Sequence, residues 1–440
     1  MSQHQGIEAQ LISIAMSELK LTMGCTDPVA IAFSCNKAME LYISQMSIEK
    51  EIAIENLESI EIFLDRNLFK NATSARIPGS RGKGIILAST LGIILPSPKI
   101  PLLIFKGITE REVQKAHSLL KNTPIKVAVK EDKNHIYAST SLIFKDNIHS
   151  KAIVEGQHDI IQSLSFQGCE IQIPREIEAE EKDNSPIPFQ LEDVLSCLET
   201  IPLKEIDFIN EGFSYNVASG DYIHQDEHSE ASILHEIYDE DLFLKASLIH
   251  KTRIAISYAT KRRMGGEEIP IISCGGSGNH GITFFISLFY GFNLITHKKE
   301  ILHTALLGLY LLHMVKQETG LLTPMCGCAL SSALAVAASL TWASGGEIDD
   351  MVRAMNYVVN TLAGISCDGA KPSCSLKTSL AGQVALESAL FALSSAPLDL
   401  DEGLSGDSFP LLLSIIKKIH LKGMAQFDST MVEIIQQRDR

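Results

Sequence analysis

Four cysteines in the last third of the chain stand where a thiol can do chemistry rather than fill a core. Cys326 and Cys328 lie in Thr323-Pro324-Met325-Cys326-Gly327-Cys328, and Cys367 and Cys374 lie in the Gly- and Pro-broken stretch from Gly364 to Lys377. That stretch separates two helical segments. The first spans about 348–362 with Ile348, Met351, Val352, Met355, Val359 and Leu362 at helical spacing, and the second begins after Pro372 and runs to about Leu393. A loop of this kind offers free backbone N–H groups and two thiols at helix ends, which suits an anionic group or a thiolate-bound metal. The spacing lacks the tight cysteine pairs of a zinc ribbon. A cubane iron–sulfur cluster tolerates dispersed ligands, and three cysteine ligands leave one iron open as a Lewis acid. Spacing alone leaves that reading and a set of scattered buried thiols both standing. If the segment at Cys326 is already helical, two thiols two residues apart do not share a face, and only one points at a common target.

Cys25 opens a different kind of site. It precedes Thr26-Asp27-Pro28 and the apolar run Val29 to Cys35, a helix with Thr26 or Asp27 as N-cap and Pro28 in its first turn. The helix dipole favours a thiolate at Cys25, while the carboxylate of Asp27 opposes it. A small apolar filler is the bland alternative, and for Cys35, inside the helix, it is the reading adopted. Two glycine-rich stretches, Ile77 to Gly84 and Ser273 to Gly281, each feed an apolar helix and can cradle a carboxylate or phosphate. Their spacing matches neither a Walker A loop nor a dinucleotide fingerprint. An ordinary strand-to-helix turn and close helix packing explain them equally well.

The elements that must position these residues are of two kinds. Residues 8–20 are read as an amphipathic helix, and from Leu57 the alternation of Ile60, Ile62 and Leu64 with polar residues predicts a strand. Asp65 to Asn71 reads as a polar loop, 85–94 and 109–121 as helices, and 125–129 as a strand. Ile136–Phe144 and Ile148–Val154 read as a hairpin turning at Lys145-Asp146-Asn147. The expected fold class is α+β: an N-terminal α+β region over 1–175, an acidic, Pro-containing linker at 176–188, and a mainly helical domain over 189–440.

Composition narrows the function. The net charge is −15, and the densest basic cluster is Lys261-Arg262-Arg263, so nucleic acid is not the expected partner and a small molecule is. The N-terminus has neither a basic nor an apolar leader segment, which predicts a cytoplasmic protein whose cysteines are reduced. The apolar stretches 301–314 and 328–343 fall short of the roughly 18 to 20 residues that span a bilayer, so no membrane is expected. Assembly into a homo-oligomer is compatible with the sequence.

Five motifs in order make the chain resemble the L-cysteine desulfidase family, relatives of the iron–sulfur-dependent L-serine dehydratase α-chain, over nearly its whole length. They are Gly24-Cys25-Thr26-Asp27-Pro28; Asn67-Leu68-Phe69-Lys70-Asn71 with Ile77-Pro78-Gly79; Arg263-Met264-Gly265-Gly266 with Gly276-Ser277-Gly278-Asn279; Met325-Cys326-Gly327-Cys328; and Ser366 to Cys374. The resemblance implies a [4Fe-4S] cluster on three cysteines and α,β-elimination without pyridoxal phosphate, turning a small L-amino acid into pyruvate and ammonia. With cysteine as substrate it also implies hydrogen sulfide. Carried over, Cys367 and Cys374 are two ligands and the third is Cys326 or Cys328, with Cys326 preferred. Cys25 takes the role of base at the Cα proton. Asn67, Lys70, Asn71, Ser80, Ser277, Asn279, His280 and Lys371 are expected to bind the amino acid by their donor content. Two positions depart from the family pattern: Asp27, where Glu is more usual, and His280, where Gln is.

Overall fold

The structure is a computed structural model that describes residues 3–173, 190–221, 244–296, 298–394 and 403–438. The linker expected at 176–188 lies outside them. The N-terminal part is α+β and the C-terminal part is helical, as the patterning predicts.

The chain starts with α1 (Gln3–Glu18), a short β1 (Lys20–Met23) and α2 (Thr26–Met46), followed by α3 (Lys50–Asn56). Then β2 (Leu57–Leu64) forms with its alternate residues Ile60, Ile62 and Leu64 fully buried. Next come α4 (Arg66–Ser74), α5 (Ile85–Ile94) and α6 (Glu110–Asn122), then β3 (Ile125–Val129), β4 (Tyr137–Phe144), β5 (Ile148–Glu155), β6 (Ile161–Phe166) and β7 (Cys169–Ile171). The six-stranded sheet has the order β3-β2-β4-β5-β6-β7, with β2 and β3 parallel and the other pairs antiparallel. The β4–β5 hairpin turns where expected, with Asp146 and Asn147 at φ 61° and 58°, a backbone that Asp and Asn tolerate. Helix α2 covers one face of the sheet. Its close neighbour α5 approaches at Gly92, where a methyl would lie 2.2 Å from Ala32 O, and Asn36 ties the pair by donating to Gly92 O and Leu95 O.

The helical part contains α7 (Leu191–Leu198), α8 (Asn210–Ser219), α9 (Leu244–Met264), β8 (Pro270–Ser273), α10 (Gly278–Leu294), α11 (Ile301–Thr319), α12 (Gly327–Ala343), α13 (Ile348–Leu362), α14 (Cys374–Leu393), α15 (Phe409–Lys418) and α16 (Phe427–Arg438). Every residue of α12 from Ala329 to Ala343 is buried. Its Ala- and Ser-rich sequence lets α10, α11, α13 and α14 pack closely around it. Among the described residues no helix is long and apolar enough to cross a membrane.

Two features join the parts. Helix α1 places Ile7, Leu11, Ile14 and Ala15 in the helical core rather than against the sheet. Strand β1 pairs antiparallel with β8, Lys20 opposite Ser273 and Met23 opposite Pro270. This ribbon, which the sequence patterning does not predict, lays the Cys25 turn beside the glycine-rich turn after Ser273.

Two local expectations are corrected. Asp65 to Asn71 is not a loop: Asp65 caps α4 by accepting from Asn67 N and Leu68 N, and its other oxygen accepts from Tyr137 N at 2.8 Å. The N-cap of α2 is Cys25 itself rather than Thr26 or Asp27.

Candidate active site

The Cys25 turn needs Gly24 at φ +72°, and Arg263, at the end of α9, holds it by donating to Gly24 O. Arg263 also donates to Asn279 Oδ1 at 2.8 Å, yet its Nε has no hydrogen-bond partner among the described residues although Arg263 is 1% exposed. Gly278 makes room for it, since a methyl there would lie 2.6 Å from the guanidinium. Around this cation stand Cys25, Cys328, Cys374 and Asp27, all within its electrostatic reach. Sequence reasoning quoted Arg263 within a motif but gave it no role.

Cys25 Sγ donates to Asp27 Oδ2 at 3.2 Å and packs with Ala75, Met264, Ala370 and Cys374. Burial and then the Asp27 charge push its thiol well above the ordinary range, against the opposing charge of Arg263. Asp27 stays ionised. Against burial, which works the other way, the nearby His158 imidazole and the donors Cys25 and Asn71 hold its carboxyl below the usual range. Asn71 donates to Asp27 Oδ1 at 3.3 Å, and His158 Nε2 lies 3.6 Å from the same oxygen without a closer partner among the described residues. His158, Thr26, Glu18, Gln157 and Gly276 line a cavity of about 50 Å³ that adjoins this pair.

Of the four C-terminal cysteines, Cys326 and Cys328 interact directly, and Cys367 and Cys374 stand within electrostatic reach of them. Cys326 is the N-cap of α12, outside the helix, so the separation of faces expected for two residues two apart does not apply: its thiol donates to Cys328. That bond, with burial, raises Cys326, and the same bond with the His280 ring lowers Cys328 well below the ordinary thiol range. Ser277, the N-cap of α10, places its hydroxyl 3.5 Å from Cys328 Sγ, and His280 Nδ1 lies 3.6 Å from it. Cys367 and Cys374 stand at the two ends of the next loop, each within electrostatic reach of Cys328, and burial raises both, Cys374 to about 12. A backbone bridge links the two loops: Met325 pairs with Ser366, Cys326 N donates to Ile365 O and Cys367 N to Pro324 O, both at 2.7 Å. Lys316, buried at the end of α11, faces the same thiols, and burial brings its ammonium down to about 8. It too was missed in the sequence, because a basic residue in a last turn is unremarkable there.

The expected amino-acid-binding residues divide. Asn71, Ser277 and His280 border the thiols, Asn279 accepts from Arg263, and Cys367 Sγ lies 3.8 Å from Asn71 Oδ1. Lys70 is fully buried, but its ammonium is spent on Asp428 Oδ1 at 2.6 Å and Asn67 Oδ1 at 2.7 Å, which also occupies Asn67. Ser80 turns its hydroxyl back to Ile77 O and Gly82 N within its own turn. Lys371 pairs with Asp368, as does Lys377, which also donates to Ser366 O.

Among the described residues, no three His, Cys, Asp or Glu side chains stand close enough together to hold a single metal ion. A polynuclear cluster is ligated from its corners, so its thiols stand apart around it. Four soft thiols, each within electrostatic reach of others and near the buried cations Arg263 and Lys316, are ligands of the type that an iron–sulfur group takes.

Residues 99–433 match the family model described as serine dehydratase alpha chain, and the chain belongs to that family. It is 27% identical to a UPF0597 protein of Caldanaerobacter subterraneus over 97% of both chains. A UPF0597 protein of Clostridium tetani is 26% identical over 98% of this chain and 99% of its own. One of Methanocella arvoryzae is 24% identical over 97% of both. These similarities extend over the Cys25 turn and α4, which lie outside the family match.

Proposed function

We propose that this chain is a lyase that removes the β-substituent of a small L-amino acid, with L-cysteine giving pyruvate, ammonia and hydrogen sulfide. The supporting observation is the gathering of Cys25, Cys328 and Cys374, from three separate stretches, around the buried Arg263 in a chain of the serine dehydratase alpha-chain family. Cys367, Cys374 and one of Cys326 and Cys328 would hold a [4Fe-4S] cluster. When bound, such a group supplies Lewis-acid polarisation of the bond to the leaving sulfur or oxygen.

The chain's own residues do the proton work. Cys25 takes part as a thiolate, the form that the neighbouring Arg263 guanidinium favours while burial and the Asp27 charge oppose it. The thiolate then takes the Cα proton. The C–H electron pair becomes the Cα–Cβ π bond, and the Cβ–S pair leaves with sulfur, which is protonated to hydrogen sulfide. The 2-aminoacrylate released tautomerises to an imine, and water hydrolyses it to pyruvate and ammonia. Burial of Cys25 and Arg263 keeps bulk water from the thiolate. A second reading, L-serine with hydroxyl as leaving group, uses the same residues and is favoured by the family's description.

The test is the iron and acid-labile sulfide content of anaerobically prepared protein, with product release from L-cysteine and L-serine. About four irons per chain, with pyruvate and sulfide from L-cysteine, is the expected outcome. Pyruvate from L-serine alone moves the reading to the dehydratase, and no pyruvate from either amino acid refutes both. Cys367→Ser and Cys374→Ser should each lose iron, whereas Cys25→Ser should keep it and lose turnover. Of Cys326→Ser and Cys328→Ser, only one should lose iron.

A further inference from the structure

The cations that the sequence offers for an amino acid's carboxylate, Lys70 and Lys371, are both engaged by acids of this chain. Two other donors face a common space. His280 is 2% exposed, and its Nε2 has no hydrogen-bond partner among the described residues. Lys316 is 4% exposed and donates to Leu321 O at 3.0 Å, which uses one of its three ammonium protons. A methyl placed on Gly327 would lie 3.1 Å from His280 Nε2 and 3.1 Å from Lys316 Nζ. The two donors therefore converge over the first turn of α12, a 17-residue helix whose first N–H groups have no intrahelical acceptor. Gly275, at φ +56°, flanks the two donors: a methyl there would lie 2.7 Å from Leu312 Cδ2, 3.5 Å from Lys316 Cγ and 3.7 Å from His280 Cδ2. Glu18, an acid near Lys316, is turned to His313 Nδ1 at 2.7 Å and Gly275 N at 3.0 Å.

We infer that the cleft over Gly327 seats the α-carboxylate of the amino-acid substrate, with His280 Nε2 and Lys316 Nζ as its donors. The inference rests on the lyase reading and deepens it. A buried, doubly donating, cationic cleft whose neighbouring acid Glu18 is turned to His313 and Gly275 selects a small monoanionic group, and a carboxylate meets both donors with its two oxygens. With Cys326 and Cys328 on either side of Gly327, a carboxylate seated there holds the reacting carbons beside the thiols. Lys316 thus discriminates amino acids from simple amines and amides.

Calorimetric binding of L-alanine, which has no leaving group, and of L-alaninamide, which lacks the carboxylate, tests this on full-length anaerobic protein. The unaltered protein should prefer L-alanine by at least about tenfold. Lys316→Met should weaken L-alanine by about tenfold to a hundredfold, the loss of one charge-assisted hydrogen bond, and should leave L-alaninamide unchanged. Gly327→Ala, which fills the cleft with a methyl and suits a helix, should do the same at an unchanged melting temperature. Retained preference in both variants, equal binding of the two ligands by the unaltered protein, or a parallel loss for both ligands overturns the assignment. If pyruvate still forms from an amino acid in that case, only the carboxylate seat has failed; if none forms, the lyase reading has failed with it.

Discussion

Lys70→Met removes an ammonium that holds the C-terminal helix α16 to α4. The Lys70 side chain is 0% exposed and Asp428 is 15% exposed, with Nζ 2.6 Å from the carboxylate. Two unit charges about 4 Å apart attract by about 4 kcal/mol at an effective dielectric near 20, and desolvation offsets much of that. Removing one partner of a buried pair costs about 3–5 kcal/mol, because the other charge is left without compensation. The residual exposure of Asp428 puts the expected cost of Lys70→Met near 3 kcal/mol. Lys70→Met/Asp428→Leu removes both charges and should cost only about 1 kcal/mol, so the coupling is about 2 kcal/mol or more. Urea unfolding followed by circular dichroism measures all four species. Limited proteolysis should cut Lys70→Met first in the stretch leading into α16, before Phe427. A single-variant cost below about 1 kcal/mol, or a double variant as unstable as the sum of the singles, would refute the reasoning.

Three further outcomes are expected. Gly281→Ala should destabilise by about 3 kcal/mol or more in a thermal melt, because the methyl would stand 1.9 Å from Ile272 O and 2.9 Å from Asn216 Nδ2, driving α10 off β8. Lys50 has its ammonium brought down to about 8 by burial, from 10.5. The folded state therefore binds this proton less tightly than the unfolded chain, and stability rises with pH between about 8 and 10.5. Lys50→Met should stabilise by about 1–2 kcal/mol at pH 7, with the gain vanishing towards pH 10.5, since Asn36 still serves Leu95 O. His158→Gln should lower kcat about tenfold with KM, iron content and L-alanine binding unchanged, as expected of a positioning residue acting through Asp27.

Much of this fold was legible where periodicity runs long. The apolar positions of α13, from Ile348 to Leu362, and the alternation of β2 each predict the face that is buried. The four-residue strands β1 and β8 were not legible, because four residues carry too little period to separate from a loop and their partners are 247 to 253 residues apart in sequence. The α4 segment read as loop because its polar residues hide one cap: Asp65, not an apolar stripe, starts the helix. At the site, the cysteines announced themselves by type and by standing at helix starts. Arg263 and Lys316 did not, since a buried cation leaves no periodic trace and becomes visible only when the thiols facing it are located. The convergence of Cys326 and Cys328 was missed because it depends on where helix geometry begins, a matter of one residue.

The backbone bridge between Met325 and Ser366 bears on how the site comes into being. Cys326 and Cys367 are each fixed by a main-chain bond to the other's loop, independent of anything their sulfurs hold. The ordering entropy of that loop pair is therefore met by folding and not by the arriving ligand. If the proposed iron–sulfur group were lost from this site, the backbones of Cys326 and Cys367 would stay in place, so reloading would not require these two loops to fold again.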